Sequence, residues 1–479
     1  MLSATEGTDP RNTSKRPARP RLLETNMTEN VTRRTFLGAT GAGASGLGAA
    51  VAASASASSL ASAANRRGPN DRITVGMIGV GSRAQELLEA IKQIDGTEIV
   101  AVCDAYSGRM ERAVDRTGGR AKTHKNYQEI IADDNIDIVT VATPDHWHKT
   151  QVIEALQAGK DVYCEKPLTY TIDDGLEIAA AVKKSGKLLQ VGSQGISSRT
   201  QQKAREMIRA GQLGTVTMIR ASYNRNTASG AWIYPIPPDA SPETVDWQAF
   251  LGPAKKRPYD LERFFQWRCY RDYSGGIATD LFVHLCTTIH FIMDAKMPST
   301  VVGRGELYRW KESREVPDTL NAILEYPEGF TTNLSSTFNN QFTGEQAFQI
   351  LGTEGTLVIG FSKLTFVPNR GREDNRWIVQ AWPRELEQQY YQNEKVRAAE
   401  LPQTRKPSLQ RDQEEFQETG QNSTVQHFQN FFDSVRNRKP TVEDEMAGHR
   451  AAACAHLIND SAENDRITHW DFNRERQQV

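Results

Sequence analysis

The run Ile73-Thr74-Val75-Gly76-Met77-Ile78, continued by Gly79-Val80-Gly81-Ser82-Arg83-Ala84, constrains this chain more than any other segment. The apolar part reads as a buried parallel strand. Leu87, Leu88 and Ile91 then mark the apolar side of a helix. Between strand and helix lies GxGxxA. Gly79 permits the tight turn, Gly81 lets the backbone approach a pyrophosphate, and Ala84 lets helix and strand pack closely. The N–H groups at the helix start, around Ser82 and Arg83, face the phosphates. The next strand, 98–103, ends in Asp104, 25 residues after Gly79, against a usual spacing of about 20. A carboxylate there accepts from ribose hydroxyls and repels a 2′-phosphate, so NAD is the expected cofactor. Arg109 close by leaves NADP open.

The alternation continues. A short helix over 127–132 precedes a strand over 136–142, which ends at Thr143-Pro144-Asp145-His146-Trp147-His148. A helix carrying Val152, Ile153 and Leu156 follows, then a strand over 161–164 that runs into Glu165-Lys166-Pro167. A helix over 176–183 and a strand over 188–192 complete a Rossmann domain, 71–194. Ligands bind beyond the carboxyl ends of such strands, where each of these motifs lies. From residue 195 the order changes to a helix over 199–210, a strand over 215–223 and a long aromatic excursion to Tyr273. Strands near 300–307, 320–326, 331–337, 345–352 and 356–359 follow. The expected fold is therefore α/β: an N-terminal Rossmann domain, then an α+β domain over 195–479 with a large, mostly antiparallel open sheet. Residues 368–422 are polar and read as a surface arm. Val425, Phe428, Phe431, Phe432 and Val435 form the core stripe of a helix.

Charge is spread unevenly. Residues 1–34 hold seven basic and four acidic side chains, and residues 35–65 hold none. Thr32-Arg33-Arg34-Thr35-Phe36-Leu37 is followed by a Gly/Ala/Ser run too rich in glycine and serine for a spanning helix. Ala61-Ser62-Ala63 offers a small-residue cleavage site. The pattern resembles a twin-arginine export signal over 1–65, with Met27 as an alternative start. It implies the twin-arginine translocation machinery as a partner and a periplasmic location. The whole chain carries −1, so the remainder is near −4, and no nucleic-acid partner is expected. Five scattered cysteines with no CxxC spacing read as buried thiols. No third ligand stands beside His146 and His148, so no metal is expected.

Tyr273-Ser274-Gly275-Gly276 leads into a helix on which Asp280 and His284 are four residues apart, on one face. A carboxylate beside an imidazole holds its orientation and raises its pKa, which suits it to take a hydroxyl proton. Lys166 stands at a strand end. The GxGxxA turn, Thr143-Pro144 with His148, Glu165-Lys166-Pro167 and the Gly-Gly-x-x-x-Asp-x-x-x-His pattern together resemble the Gfo/Idh/MocA oxidoreductases, over about residues 71–365.

That resemblance implies an NAD(P)-dependent oxidoreductase acting on a sugar, sugar derivative or polyol. It places Thr143, Pro144, His148 and Glu165 at the cofactor, and Lys166 between cofactor and substrate, with Lys166-Pro167 a candidate cis bond. His284 takes the carbinol proton, Asp280 orients the ring, and Lys166 stabilises the alkoxide. Trp147, Arg268 and Tyr273 are candidate substrate contacts. The alternative on the same fold is an NAD-dependent glycoside hydrolase, working by transient oxidation and elimination. The family's open sheet often dimerises, so a homo-oligomer, dimer or tetramer, is expected. An exported dehydrogenase meets no pool of free nucleotide, so tightly bound NAD is expected as well.

Overall fold

Short β-branched runs form six parallel strands: β1 (Ile73–Ile78), β2 (Thr97–Cys103), β3 (Lys122–His124), β4 (Ile138–Val141), β5 (Asp161–Glu165) and β6 (Leu189–Gly192). They lie in the order β3-β2-β1-β4-β5-β6. The crossovers carry α1 (Ser82–Ile91), α2 (Ser107–Arg116), α3 (Tyr127–Ala132), α4 (Asp145–Gln157) and α5 (Ile172–Ser185). Helices on both faces explain the unbroken apolar runs, and every residue of β4 and β5 is buried. Connections leave in opposite directions on either side of the β1–β4 pair, which opens a crevice at their carboxyl ends. The computed structural model describes residues 72–342, 348–360, 362–369, 374–400 and 413–478. The expected export leader lies outside the described residues.

Past β6 the chain builds a second sheet. α6 (Arg199–Arg209) and β7 (Val216–Ser222) precede the excursion, which contains two short helices, α7 (Trp247–Leu251) and α8 (Leu261–Phe265). Then come α9 (Val283–Met293), β8 (Thr300–Glu306), β9 (Thr319–Tyr326), β10 (Phe330–Thr337), β11 (Phe348–Gly352), β12 (Gly355–Ile359) and β13 (Lys363–Pro368). The polar arm holds α10 (Arg376–Val379), α11 (Arg384–Gln392), α12 (Glu394–Ala399) and β14 (Glu414–Gln417). The chain closes with α13 (Ser423–Asn437), α14 (Glu445–Asn464), β15 (Thr468–Asp471) and β16 (Arg476–Gln477). Among the described residues the order is β14-β13-β12-β11-β7-β10-β9-β8-β15-β16. Among the described pairs of this second sheet, only β7–β10 is parallel.

β9 shows how sequence sets the layer. Leu320, Ala322, Leu324 and Tyr326 are buried, while Asn321, Ile323 and Glu325 between them are exposed. The buried face packs on α9 and α14 through Ile289, Cys454 and Leu457. α14 also lies close on β6, where a Cβ on Gly448 would overlap Val191.

Two features go beyond the sequence reading. The Rossmann sheet is not covered by 71–194 alone. α13 returns to it, burying Val425, Phe428, Phe431 and Phe432 against α1, and Phe428 stacks on Tyr163 at 4.2 Å. Each buried aromatic contributes about 1.5–3 kcal/mol. The polar arm is not all irregular either. α11 and α12 bury nothing, but β14 adds an edge strand to β13.

Candidate active site

The ends of β1, β2, β4 and β5 open on a cavity of about 1510 Å³. A single small ligand needs about 300–1,000 Å³, so this one has room for a dinucleotide and a second molecule. Gly79 sits at φ +79°, and a Cβ there would lie 2.8 Å from the Ala142 carbonyl and 2.9 Å from Thr143 N. Only glycine lets the ends of β1 and β4 converge in this way. Gly81 caps α1 without a side-chain bond, and the first turn holds no acid. Its orphan N–H groups open on the cavity, which Gly81, Ser82 and Arg83 line, while Ala84 is buried against the sheet. Thr143 and Pro144 form the opposite wall.

Asp104 also lines this end, with both oxygens engaged. Oδ2 accepts from Val80 N at 2.8 Å, Oδ1 from Tyr106 N at 2.9 Å, and Arg109 Nη1 lies 3.4 Å from Oδ1. The carboxylate thus caps the glycine turn as well as facing the cavity. The excursion is stitched over the same end. Tyr106 donates its hydroxyl to Asp239 at 2.7 Å, and Asp246 N donates to the Ala105 carbonyl at 2.7 Å. The Arg109 guanidinium lies 5.2 and 5.3 Å from the ring centres of Phe264 and Phe265. A glycine cradle, an uncapped helix start and a strand-end carboxylate fit a nicotinamide dinucleotide.

The other end gathers charge. Glu165 closes β5, and its Oε1 accepts from Arg83 Nε at 3.1 Å and Gln194 Nε2 at 2.9 Å, tying the Glu-Lys-Pro turn to the glycine turn. The Lys166-Pro167 bond is cis. Lys166 Nζ donates to the Asp280 carbonyl at 2.8 Å and to Asp280 Oδ1 at 3.0 Å. Arg268 Nε donates to the same Oδ1 at 2.9 Å, and its guanidinium sits 4.2 Å from the Trp267 ring centre. Burial alone would raise the Asp280 pKa. Lys166 and Arg268 outweigh it and hold the carboxyl well below the usual range.

The expected Asp280–His284 pair does not form. No hydrogen bond joins them among the described residues; Asp280 Oδ1 accepts instead from Lys166 and Arg268. Residues Ala278–Phe282 make a π-helical turn ahead of α9, so the i, i+4 register assumed for an α-helix does not hold. The expected rise in the His284 pKa is reversed: burial, then Lys166, push it down to about 3, and Asp280 offsets only part of this. His284 lines the cavity as a neutral ring.

Tyr273 and His148 do not reach the cavity, and Trp147 does. Tyr273 is fully buried, packed on Phe250 and His146 at 4.8 and 5.2 Å between ring centres, and is a core residue rather than a substrate contact. His148 is buried behind the wall, its ring nitrogens 2.7 and 2.9 Å from the carbonyls of Pro167 and Thr143. It clamps two cofactor-facing turns together rather than touching the cavity. Trp147 lines the cavity, but its N–H donates to the Phe250 carbonyl at 2.9 Å and its ring is edge-on to Tyr127. The ring joined to the charged cluster is Trp267.

Asp145 escaped the sequence reading. It opens α4 directly after Thr143-Pro144, buried beside Thr279, whose hydroxyl donates to Oδ2 at 3.3 Å. Its position after a strand-end motif was the available signal. Arg225, at the far wall, had none.

Comparison with known proteins accords with this geometry. The Gfo/Idh/MocA models of an oxidoreductase family match twice: the NAD-binding Rossmann fold over residues 73–193 and the C-terminal alpha/beta domain over 205–469. A 1,5-anhydro-D-fructose reductase of Ensifer adhaerens is 24% identical over 59% of this chain and 74% of its own. An inositol 2-dehydrogenase of Salmonella paratyphi B is 30% identical over 32% of this chain and 47% of its own. A glycosyl hydrolase family 109 protein of Shewanella baltica is 29% identical over 40% and 46%. The chain thus spans about half of the last two. A solved levoglucosan dehydrogenase in complex with NADH and levoglucosan superposes with a TM-score of 0.59 at 17% identity, covering 83% of this chain and 99% of that one.

Proposed function

The chain belongs to the Gfo/Idh/MocA oxidoreductase family, and from that premise we propose that it oxidises or reduces a hydroxyl-bearing carbon of a sugar, sugar derivative or polyol with NAD. The observation that carries this reading is one cavity holding both the glycine turn and the Lys166–Asp280–Arg268 cluster with His284. Gly79, Gly81, Ser82, Arg83, Asp104, Thr143 and Pro144 hold the nucleotide. A bound nicotinamide supplies the hydride acceptor or donor.

The chain's own residues handle the proton and the oxygen. Lys166 spends N–H donors on Asp280 and keeps one for the substrate oxygen, where it stabilises developing negative charge. His284, neutral, accepts the carbinol proton. Asp280 fixes Lys166 and Arg268 rather than the imidazole. The test is a panel of sugars and polyols with NAD, followed by absorbance of the reduced nicotinamide. Reduction of the nucleotide that depends on Lys166 is expected, limited to the bound fraction where NAD is retained, and no reduction with any member contradicts the reading.

The glycosyl hydrolase relative favours one alternative, glycoside cleavage by transient oxidation and elimination. Release of an aglycone without net nucleotide reduction would decide for it. The reading extends to retention of NAD, which the excursion stitched over the nucleotide end supports. Protein purified without added nucleotide and dialysed is expected to keep it; an empty protein working only with exchangeable NAD contradicts this. Export through the twin-arginine route rests on Arg33, Arg34, Phe36 and Leu37. A homo-oligomer is favoured by Val302 and Ile323, which stay 42% and 55% exposed on the open sheet face. A monomer mass by light scattering would contradict it.

A further inference from the structure

A cation half-buried in the cavity wall has no counter-charge among the described residues. Arg225 follows β7, and its backbone N–H donates to the Thr337 carbonyl at 2.9 Å. Its Nη1 donates to the Gly230 carbonyl at 3.1 Å, and the guanidinium lies 5.9 Å from the Phe338 ring centre. No carboxylate among the described residues pairs with it. The group is half-buried in the cavity wall, near enough to His284 and Tyr234 for its charge to act on both. Lys166 and Arg268, in contrast, share Asp280.

The catalytic end therefore holds four cations, Arg83, Lys166, Arg225 and Arg268, against Glu165, Asp280 and Asp145. Burial pushes Asp145 up to about 7, so it is partly neutral near pH 7 and compensates less. Partial burial of a cation without a charged partner is costly. The guanidinium has N–H donors to spare in a planar fork, which matches an oxyanion.

We propose that the substrate carries an anionic substituent, the carboxylate of a sugar acid, which seats on Arg225. The proposal rests on the dehydrogenase reading above for the placement of the substrate hydroxyl at Lys166 and His284. The seat also serves the chemistry. Lys166 and Arg225 both depress His284, and an anion on Arg225 cancels part of that effect. The imidazole then becomes a better base near neutral pH. Trp267 and Tyr234 line the same end and offer apolar faces to a sugar ring.

The test uses the full protein with nicotinamide nucleotide bound. Glucuronate and galacturonate are compared with glucose, galactose and glucose 6-phosphate. Binding is read by tryptophan fluorescence and turnover by reduced-nicotinamide absorbance. The uronates are expected to bind about 10–100-fold more tightly than the neutral sugars, the range of a charge-assisted contact. Arg225→Met should compress that ratio to near unity, and Arg225→Lys, which keeps the charge but not the fork, should recover part of it. Arg225→Gln repeats the test should the Met variant fold poorly. Equal binding of acid and neutral sugar overturns the proposal, and so does an acid preference that survives Arg225→Met. Tighter binding of glucose 6-phosphate than of either uronate overturns the carboxylate assignment in favour of a phosphate ester. Arg225-dependent uronate binding without nucleotide reduction sustains the anion seat and sinks the dehydrogenase reading instead.

Discussion

Replacing Asp145 by Asn should stabilise the protein, and more so as pH rises. Asp145 is buried at the start of α4, and burial pushes its pKa up to about 7 against the pull of Lys166, with Asp280 adding to the rise. In the unfolded chain the same carboxyl titrates near 3.8. The span between the two values, at 1.36 kcal/mol per pH unit, makes its ionisation cost the folded state about 4 kcal/mol at pH 8. The sign follows from proton counts. Between the two values the folded state binds more protons than the unfolded state, so stability falls as pH rises through that window. Below about pH 4 the penalty is absent, and above about pH 7 it is constant. Asn mimics the neutral acid at every pH. Its advantage over wild type should therefore grow by about 3 kcal/mol between pH 5 and pH 8. Urea midpoints of both proteins, matched for bound nucleotide, measure this at the two pH values. A difference that does not change with pH, or a wild type more stable at pH 8, would refute the burial argument.

Lys166→Ala and His284→Ala should each lower turnover by about 10²–10⁴ with thermal midpoints close to wild type, and near-normal rates in either would remove that residue from the chemistry. Asp104→Ser should weaken NAD binding and narrow any preference over NADP, while loosening the glycine turn that Asp104 holds through Val80 N. A wild type that binds NADP more tightly would transfer the decision to Arg109. Changing Arg33 and Arg34 to Lys should retain the protein in the cytoplasm on cell fractionation, and unchanged export would dismiss the leader as a twin-arginine signal.

The nucleotide half was legible because its determinants are local. A strand, a glycine turn and a helix start lie within a dozen residues, and Gly79 is needed for reasons its neighbours Ala142 and Thr143 complete. Lys166, Asp280 and Arg268 lie hydrogen-bonded together, but that wiring was not legible. The π-helical turn at Ala278–Phe282 inserts no marker residue, so i, i+4 spacing gave a pairing that the backbone does not make. Tyr273 looked like a contact because aromatic residues suit sugars. Its packing on Phe250 and His146 depends on segments far away in the chain. α13 was recognised as a core helix from its stripe, yet the face it covers, beneath Tyr163, lies more than 200 residues upstream. Arg225 belongs to no motif and is singled out only by what fails to pair with it.

The central claim is hydride transfer between a sugar or polyol carbon and a nicotinamide held in this cavity. The direct measurement is a single turnover of the nucleotide-loaded protein with a carbon-deuterated form of the best substrate from the panel, followed by mass spectrometry of the nucleotide released on denaturation. The account predicts reduced nucleotide carrying one deuterium in the wild type and none in Lys166→Ala. Oxidised product alongside unlabelled nucleotide would contradict it.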